Sequence, residues 1–234
     1  MAKKRSNIVS DRGNSNRSTH MFAQKETAPL FPCTVWHFSL SPEDGDRINQ
    51  EVLSAISSLK EANPALCSTD FWQSRNDLQT LDEFRSFRTM IEAATNDVLQ
   101  QIVVEHDSFL ITGCWANVGP PGSEHPLHTH PNNYLSGVYY PQVPAGGDVI
   151  GFRDPRPETN IIAPHIEKKT EFNVRAVVLP VRPGSLLMFP SWFPHYVPPN
   201  QGDSERVSIS FNIMFASYAE TLSKPKWTFD PNLQ

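Results

Sequence analysis

The chain has 234 residues, 38% of them hydrophobic and 10% aromatic, which is enough apolar material for a sizeable buried core. Its net charge of −5 and pI near 5.9 supply no global positive field, so neither nucleic acid nor an anionic membrane surface is an expected partner. Three cysteines, Cys33, Cys67 and Cys114, are odd in number and lack any CxxC pairing, and no stretch has the length of a membrane span or the apolar core of a signal peptide. A soluble, cytoplasmic protein with free thiols is expected.

Residues 1–26 are polar and rich in Ser, Asn and Lys/Arg, too poor in apolar groups to offset ordering entropy, and read as a flexible polar arm. The remainder, 27–234, reads as a single domain with helical support over about 44–104 and a β core over about 107–217. The run FPCTVWHFSL at 31–40 suits a strand closed by Ser-Pro. Beyond Asp44, Ile48, Val52, Ala55, Ile56 and Leu59 share one helical face, and Pro64 ends the segment. A second helix is predicted from about Thr80 to Val104, with Leu81, Phe84, Phe87, Ile91, Ala94, Val98 and Ile102 in one stripe and Thr80 as its cap.

After Asp107 the pattern changes to seven short β-rich runs separated by Pro and Gly, from SFLITGCWANV to RVSISFNIMF. With 21 prolines in the chain, this predicts a mainly β protein with flanking helices. The core is expected to be a double-stranded β-helix (jelly roll, cupin-like) supported by the N-terminal helices. The coil from Asp154 to Thr170 is the longest internal gap, of a length often used as a lid.

Five of the eight histidines lie between His125 and His195. His128 and His130 are two apart in a β-like segment, so both imidazoles can address one point. His195, following the strand SLLMFP, can supply a third ligand from the other side of a small barrel. Three protein ligands on one face of a metal leave positions open for a bidentate cosubstrate and for oxygen. Arg206 follows His195 by eleven residues and opens the last strand, with Ser208 alternating to the same face. Together they offer a forked cation and a hydroxyl to a carboxylate.

These residues sit in WANVGPPGSEHPLHTHPNNYLSGVYY, GGDVIGFRDPR and PGSLLMFPSWFPHYVPPNQGDSERVSISFN, spanning roughly 110–215, with FWQSRNDL at 71–78 upstream. In motif order and spacing they resemble the 2-oxoglutarate and Fe(II)-dependent oxygenase superfamily, in its small bacterial and phage branch near the prolyl hydroxylases. The resemblance implies Fe(II), 2-oxoglutarate and O2 as cofactor and cosubstrates. It matches His128 and His195 to metal ligands, Arg206 to the 2-oxoglutarate anchor and Tyr140 to a hydrogen-bond donor for the same carboxylate. It further implies hydroxylation of an unactivated C–H bond, with release of succinate and CO2, in an amino acid, another small polar metabolite or a peptidyl side chain. No catalytic residue beyond the metal ligands is expected. The chain departs from the superfamily at His130, which stands where a carboxylate is usual; Glu124 and His125 are the alternatives for that position.

Asn117 is a candidate cosubstrate contact. Trp115 is read either as a pocket residue or as core. Arg153 and Arg156 are candidates for an anionic substrate group, or for a turn neutralised by Asp154. Trp192, with Phe189 and Phe193, is expected to keep water from the metal and to reach the substrate. His165 is a candidate lid residue, and His20, His37 and His106 are assigned no role. Two other functions fit parts of the pattern: a cupin-like dioxygenase or isomerase that uses no 2-oxoglutarate, and a non-catalytic jelly-roll binding protein. The first of these has no evident need for Arg206.

Overall fold

The computed structural model describes residues 24, 26–64, 67–68, 71–162 and 164–221. The predicted arm lies outside these residues except at positions 24 and 26. The chain divides into two compact units, Met1–Thr34 and Val35–Gln234. In the first, residues 24 and 26–34 form no regular element, and Phe31 takes a positive φ of 55°.

The second unit begins with β1 (Trp36–Ser39) and α1 (Pro42–Ala62). The hydroxyl of Ser41 accepts a hydrogen bond from the amide of Asp44, satisfying one of the helix's free N–H groups. Pro42 at the first helical position and Glu43 and Asp44 in the first turn suit that end of the macrodipole. Ile48, Val52 and Ile56 form the buried stripe.

The second helix starts later than its periodicity predicts. α2 spans Arg85–Ile102, preceded by 3-10 turns at Leu78–Thr80 and Asp82–Phe84. Leu81 between them is extended, with ψ 141°, so no α-helix passes through it. Thr80 therefore caps nothing; its hydroxyl donates to the Asp77 carbonyl. Leu78 and Phe84 are buried all the same, because 3-10 turns carried the apolar spacing forward into the helix. α2 ends at Val103 in the left-handed region, with the Val104 amide donating to the Leu99 carbonyl.

The remaining elements are β2 (Cys67–Ser68), β3 (Phe71–Gln73), β4 (Phe109–Gly119), β5 (His125–His128), β6 (Leu135–Gln142), β7 (Val149–Arg153), β8 (Ala176–Pro180), β9 (Ser185–Pro190), β10 (His195–Val197), β11 (Arg206–Phe215) and α3 (Ala216–Thr221). They build a seven-stranded sheet, β1-β9-β6-β11-β4-β3-β2, and a four-stranded one, β5-β10-β7-β8, with antiparallel pairings throughout. This is the jelly-roll arrangement that the β-rich runs predict. Among the described residues, no helix is long and apolar enough to cross a membrane.

Alternation along β11 sorts its residues between two environments. Val207, Ile209, Phe211 and Ile213 join Val52, Phe87, Ile91 and Val98 in the core under the helices. Arg206, Ser208 and Ser210 point the other way, into a chamber shared with side chains of the smaller sheet. A second apolar cluster, including Tyr140, Ile150, Phe152, Phe189 and Phe193, walls that chamber.

Candidate metal centre

The antiparallel pairing of β5 with β10 places His128 directly opposite His195. Cross-strand partners stand about 4.5–5.5 Å apart, so register alone brings these two imidazoles together. His130 arrives differently from the alternation expected of it, because β5 ends at His128. Its backbone amide donates to the Ser191 carbonyl at 2.9 Å, and this tether folds the third ring over the pair. Ring centroids are 4.3 Å apart for His128 and His195, 4.9 Å for His128 and His130, and 5.1 Å for His130 and His195. One nitrogen from each lies within 4.8 Å of the others, a set that could hold a metal ion.

Two of the rings are oriented by their other nitrogen. Nδ1 of His128 lies 2.7 Å from the Pro126 carbonyl, and Nδ1 of His195 lies 2.9 Å from that of Phe193. A carbonyl only accepts, so each Nδ1 carries the proton and each Nε2 is left with its lone pair free. Burial holds His195 down at a pKa of about 3 and His130 at about 4, with the positive charge of neighbouring histidines acting the same way. Both are neutral at physiological pH, as metal coordination requires. Phe189 and Phe152 pack on the His195 ring at 4.6 and 6.2 Å and cover it from solvent.

At the far end of the chamber lies Arg206, 4% exposed. Its guanidinium donates to the carbonyls of Pro198 (3.2 Å), Ser123 (3.3 Å) and Gly147 (3.5 Å), all long for charge-assisted bonds. Among the described residues no carboxylate lies within ion-pair distance of it. Burial pushes its pKa below the ordinary arginine value, the mark of a cation without a counter-charge. Around it the Tyr140 hydroxyl, the Asn117 Oδ1 and the Ser123 hydroxyl are buried and unpartnered. Such orphaned groups cost about 1–3 kcal/mol each unless a ligand satisfies them. An anion with several acceptor oxygens in this solvent-open chamber would satisfy the guanidinium and the Tyr140 hydroxyl together, while the Asn117 Oδ1, an acceptor, calls for a donor.

Of the residues singled out from sequence, His128, His130, His195, Arg206, Ser208, Tyr140, Asn117 and Trp115 all line this chamber. Arg153, Arg156 and Trp192 do not. Arg156 is bound to the Asp154 carboxylate at 2.6 and 2.9 Å, the turn-neutralising alternative, and the Trp192 side chain is largely exposed beside Phe193. Glu124 is exposed and outside the histidine group. His125, the other alternative for the third ligand, lines the chamber but stands outside the histidine group, and Ser210 is a chamber residue that was not foreseen. Ser210 is the next step of the alternation that gave Ser208. His125 lies in β5, where its ring packs on Phe71 at 4.4 Å, and burial lowers its pKa to about 4.

Residues 113–212 match a protein-family model described as "Putative 2OG-Fe(II) oxygenase". Over this segment the chain is similar to 2OG-Fe(II) oxygenases, and the segment contains the three histidines, Tyr140 and Arg206. No curated protein matches the chain in sequence. Among solved structures, the α-ketoglutarate-dependent carbocyclase SnoK from nogalamycin biosynthesis superposes with a TM-score of 0.58 at 14% identity, covering 79% of this chain and 80% of that one. The epimerase SnoN of the same biosynthesis, in complex with Fe3+, α-ketoglutarate and nogalamycin RO, gives 0.56 at 14%, covering 85% and 88%. A Pseudomonas putida prolyl-4-hydroxylase gives 0.51 at 17%, covering 78% and 93%. At these identities the likeness establishes the shared fold.

Proposed function

We propose that His128, His130 and His195 hold Fe(II), that Arg206 holds the far carboxylate of 2-oxoglutarate, and that the enzyme hydroxylates a C–H bond of a small polar molecule or a peptidyl side chain. The observation that carries the cosubstrate assignment is the buried Arg206 cation without an acidic partner among the described residues, sharing the chamber with the unpartnered Tyr140 hydroxyl. A metal hydrolase or a cupin-type isomerase has no use for this cation. Iron with 2-oxoglutarate supplies oxidation by O2, with release of succinate and CO2.

The chain's own residues prepare the site. The carbonyls of Pro126 and Phe193 hold two imidazoles in the tautomer that presents Nε2. Arg206 would offer the forked charge, while Tyr140 and Ser208, which line the same chamber, would donate to the same carboxylate. Phe152, Phe189 and Phe193 exclude water from the His195 side, where stray solvent would dissipate an oxidising equivalent. Three neutral ligands leave the full metal charge to be balanced by the dianionic cosubstrate, which favours its binding.

The solved structures of similar fold include enzymes of small-molecule biosynthesis and prolyl hydroxylases, one of them in complex with a peptide fragment. Both substrate types are therefore compatible with this scaffold. The test is succinate release from 2-oxoglutarate under air with Fe(II) and ascorbate. Expected is succinate formation that requires both iron and oxygen and disappears in Arg206→Ala. Oxygen consumption at an equal rate without 2-oxoglutarate would overturn the proposal.

A further inference from the structure

The inward row of β11 does not stop at the chamber. Arg206, Ser208 and Ser210 line the chamber, and Asn212, the next residue of the same alternation, lines a second and more open cleft with Gln73, Asn76, Thr112, Asn132 and Asn133. On the neighbouring β4, Trp115 lines both cavities, Asn117 only the chamber and Gly113 only the cleft. At about 6.6–6.8 Å per two residues, Asn212 lies roughly 20 Å along the strand from Arg206. The cleft thus adjoins the metal chamber at the end away from the arginine.

Its floor is shaped by a bulge. Asn212 pairs with Gly113 and Ile213 with Ile111, leaving Thr112 as an extra residue of β4. The Thr112 hydroxyl donates to Asn133 Oδ1 at 2.5 Å, and the Ser136 hydroxyl donates to Asn212 Oδ1 at 2.7 Å, so two carboxamides are fixed. Among the described residues, the carboxamides of Gln73, Asn76 and Asn132 make no hydrogen bond. Among the described residues no acidic or basic side chain lines the cleft, and the neighbouring Arg75 and Asp77 bind each other at 2.8 Å. An ionic ligand would find no counter-charge here. Carboxamides offer a donor and an acceptor each, matched to neutral amides and hydroxyls, and the Trp115 ring adds a flat apolar face.

We propose that this cleft is the substrate subsite and takes an uncharged ligand bearing amide or hydroxyl groups, an inference that rests on reading the adjoining chamber as the oxygenase centre. The test uses isotope-labelled full-length protein loaded with Zn(II) and N-oxalylglycine, followed by NMR at the side-chain amides of Gln73, Asn76 and Asn132 and the Trp115 indole N–H. Three probes of one shape are titrated: N-acetylalaninamide (neutral), N-acetylalanine (anionic) and alaninamide (cationic), with methyl glucoside as the hydroxyl-bearing arm. At least one neutral probe should shift these signals about tenfold more tightly than either charged one, a preference of about 1.4 kcal/mol. Which neutral probe does so identifies the hydrogen-bonding group. Gly113→Leu, whose Cβ meets only ordinary contacts near 3.7 Å, should abolish the shifts while leaving Zn(II) binding intact. Asn76→Asp on the open rim should transfer the preference to alaninamide. Equal response to charged and neutral probes, or shifts confined to other signals, would overturn the cleft proposal. Loss of Zn(II) or N-oxalylglycine binding by the unaltered protein would instead overturn the chamber reading.

Discussion

Arg206 is the residue on which the cosubstrate assignment turns, and its removal has two separable effects. Truncating one member of a buried, hydrogen-bonded charge pair costs about 2–5 kcal/mol, so Arg206→Ala should raise the KM for 2-oxoglutarate by roughly 30- to 4,000-fold. Metal affinity measured without cosubstrate should stay within a factor of about three, since Arg206 lies outside the histidine group. An unchanged KM would remove the anchor role. His130 is tested in the opposite sense: His130→Ala should lower affinity for Co(II) or Zn(II) by about 100-fold or more, exceeding the 10–100-fold typical of losing an outer-shell partner. Affinity equal to the unaltered protein would leave a two-histidine site and reopen the question of the third ligand. Residue spacing made the pairing of His128 with His195 and the Arg206–Ser208 row legible beforehand. The Ser191 tether that positions His130 was not legible, because it is a backbone contact between residues sixty-one apart, with no side-chain signature.

Elements were readable where one physical rule governed them. α1 begins at a capped Ser-Pro and buries a 3.6-residue stripe, so cap and pattern agree. The start of α2 was misread because 3-10 turns and an α-helix share nearly the same apolar spacing over a few residues. Between β6 and β11, packing rather than pattern sets the fit. A Cβ added to Gly137 would lie 2.2 Å from the Phe211 ring, which is fully buried among the core side chains and has nowhere to swing. Gly137→Ala should therefore destabilise the protein by about 1–3 kcal/mol, seen as a lower denaturant midpoint at unchanged m-value. Phe211→Leu in the same chain should recover part of that loss, because the clash is between these two groups. If the double variant is less stable than either single one, the strain lies elsewhere in the β6–β11 pair.

At the scale of the whole molecule, the metal site sits on β5 and β10, strands of four and three residues in the smaller sheet, so the charge state of its histidines bears on global stability. Without metal, His195 and His130 are held at about 3 and 4, and His125 at about 4, against the usual 6.5 of an exposed imidazole. Because the folded values are depressed, the unfolded chain binds protons first as pH falls below 6.5. Their contribution is complete above pH 6.5 and is lost progressively toward pH 4 and 3. Between pH 6.5 and 5 the carboxylates remain ionised, so a falling Tm of the metal-free protein in that window reports the imidazoles. His195→Asn should flatten the slope. Saturating Zn(II) at about 100 times its Kd should add about 2.7 kcal/mol near neutral pH. That increment should hold while His130 and His195 stay neutral and shrink toward pH 4 and 3, where acid competes for their Nε2 lone pairs, making the loaded protein's Tm steeper in pH there than that of the metal-free form. A loaded protein with the same slope as the metal-free one in that lower range would mean that the ion binds away from these rings.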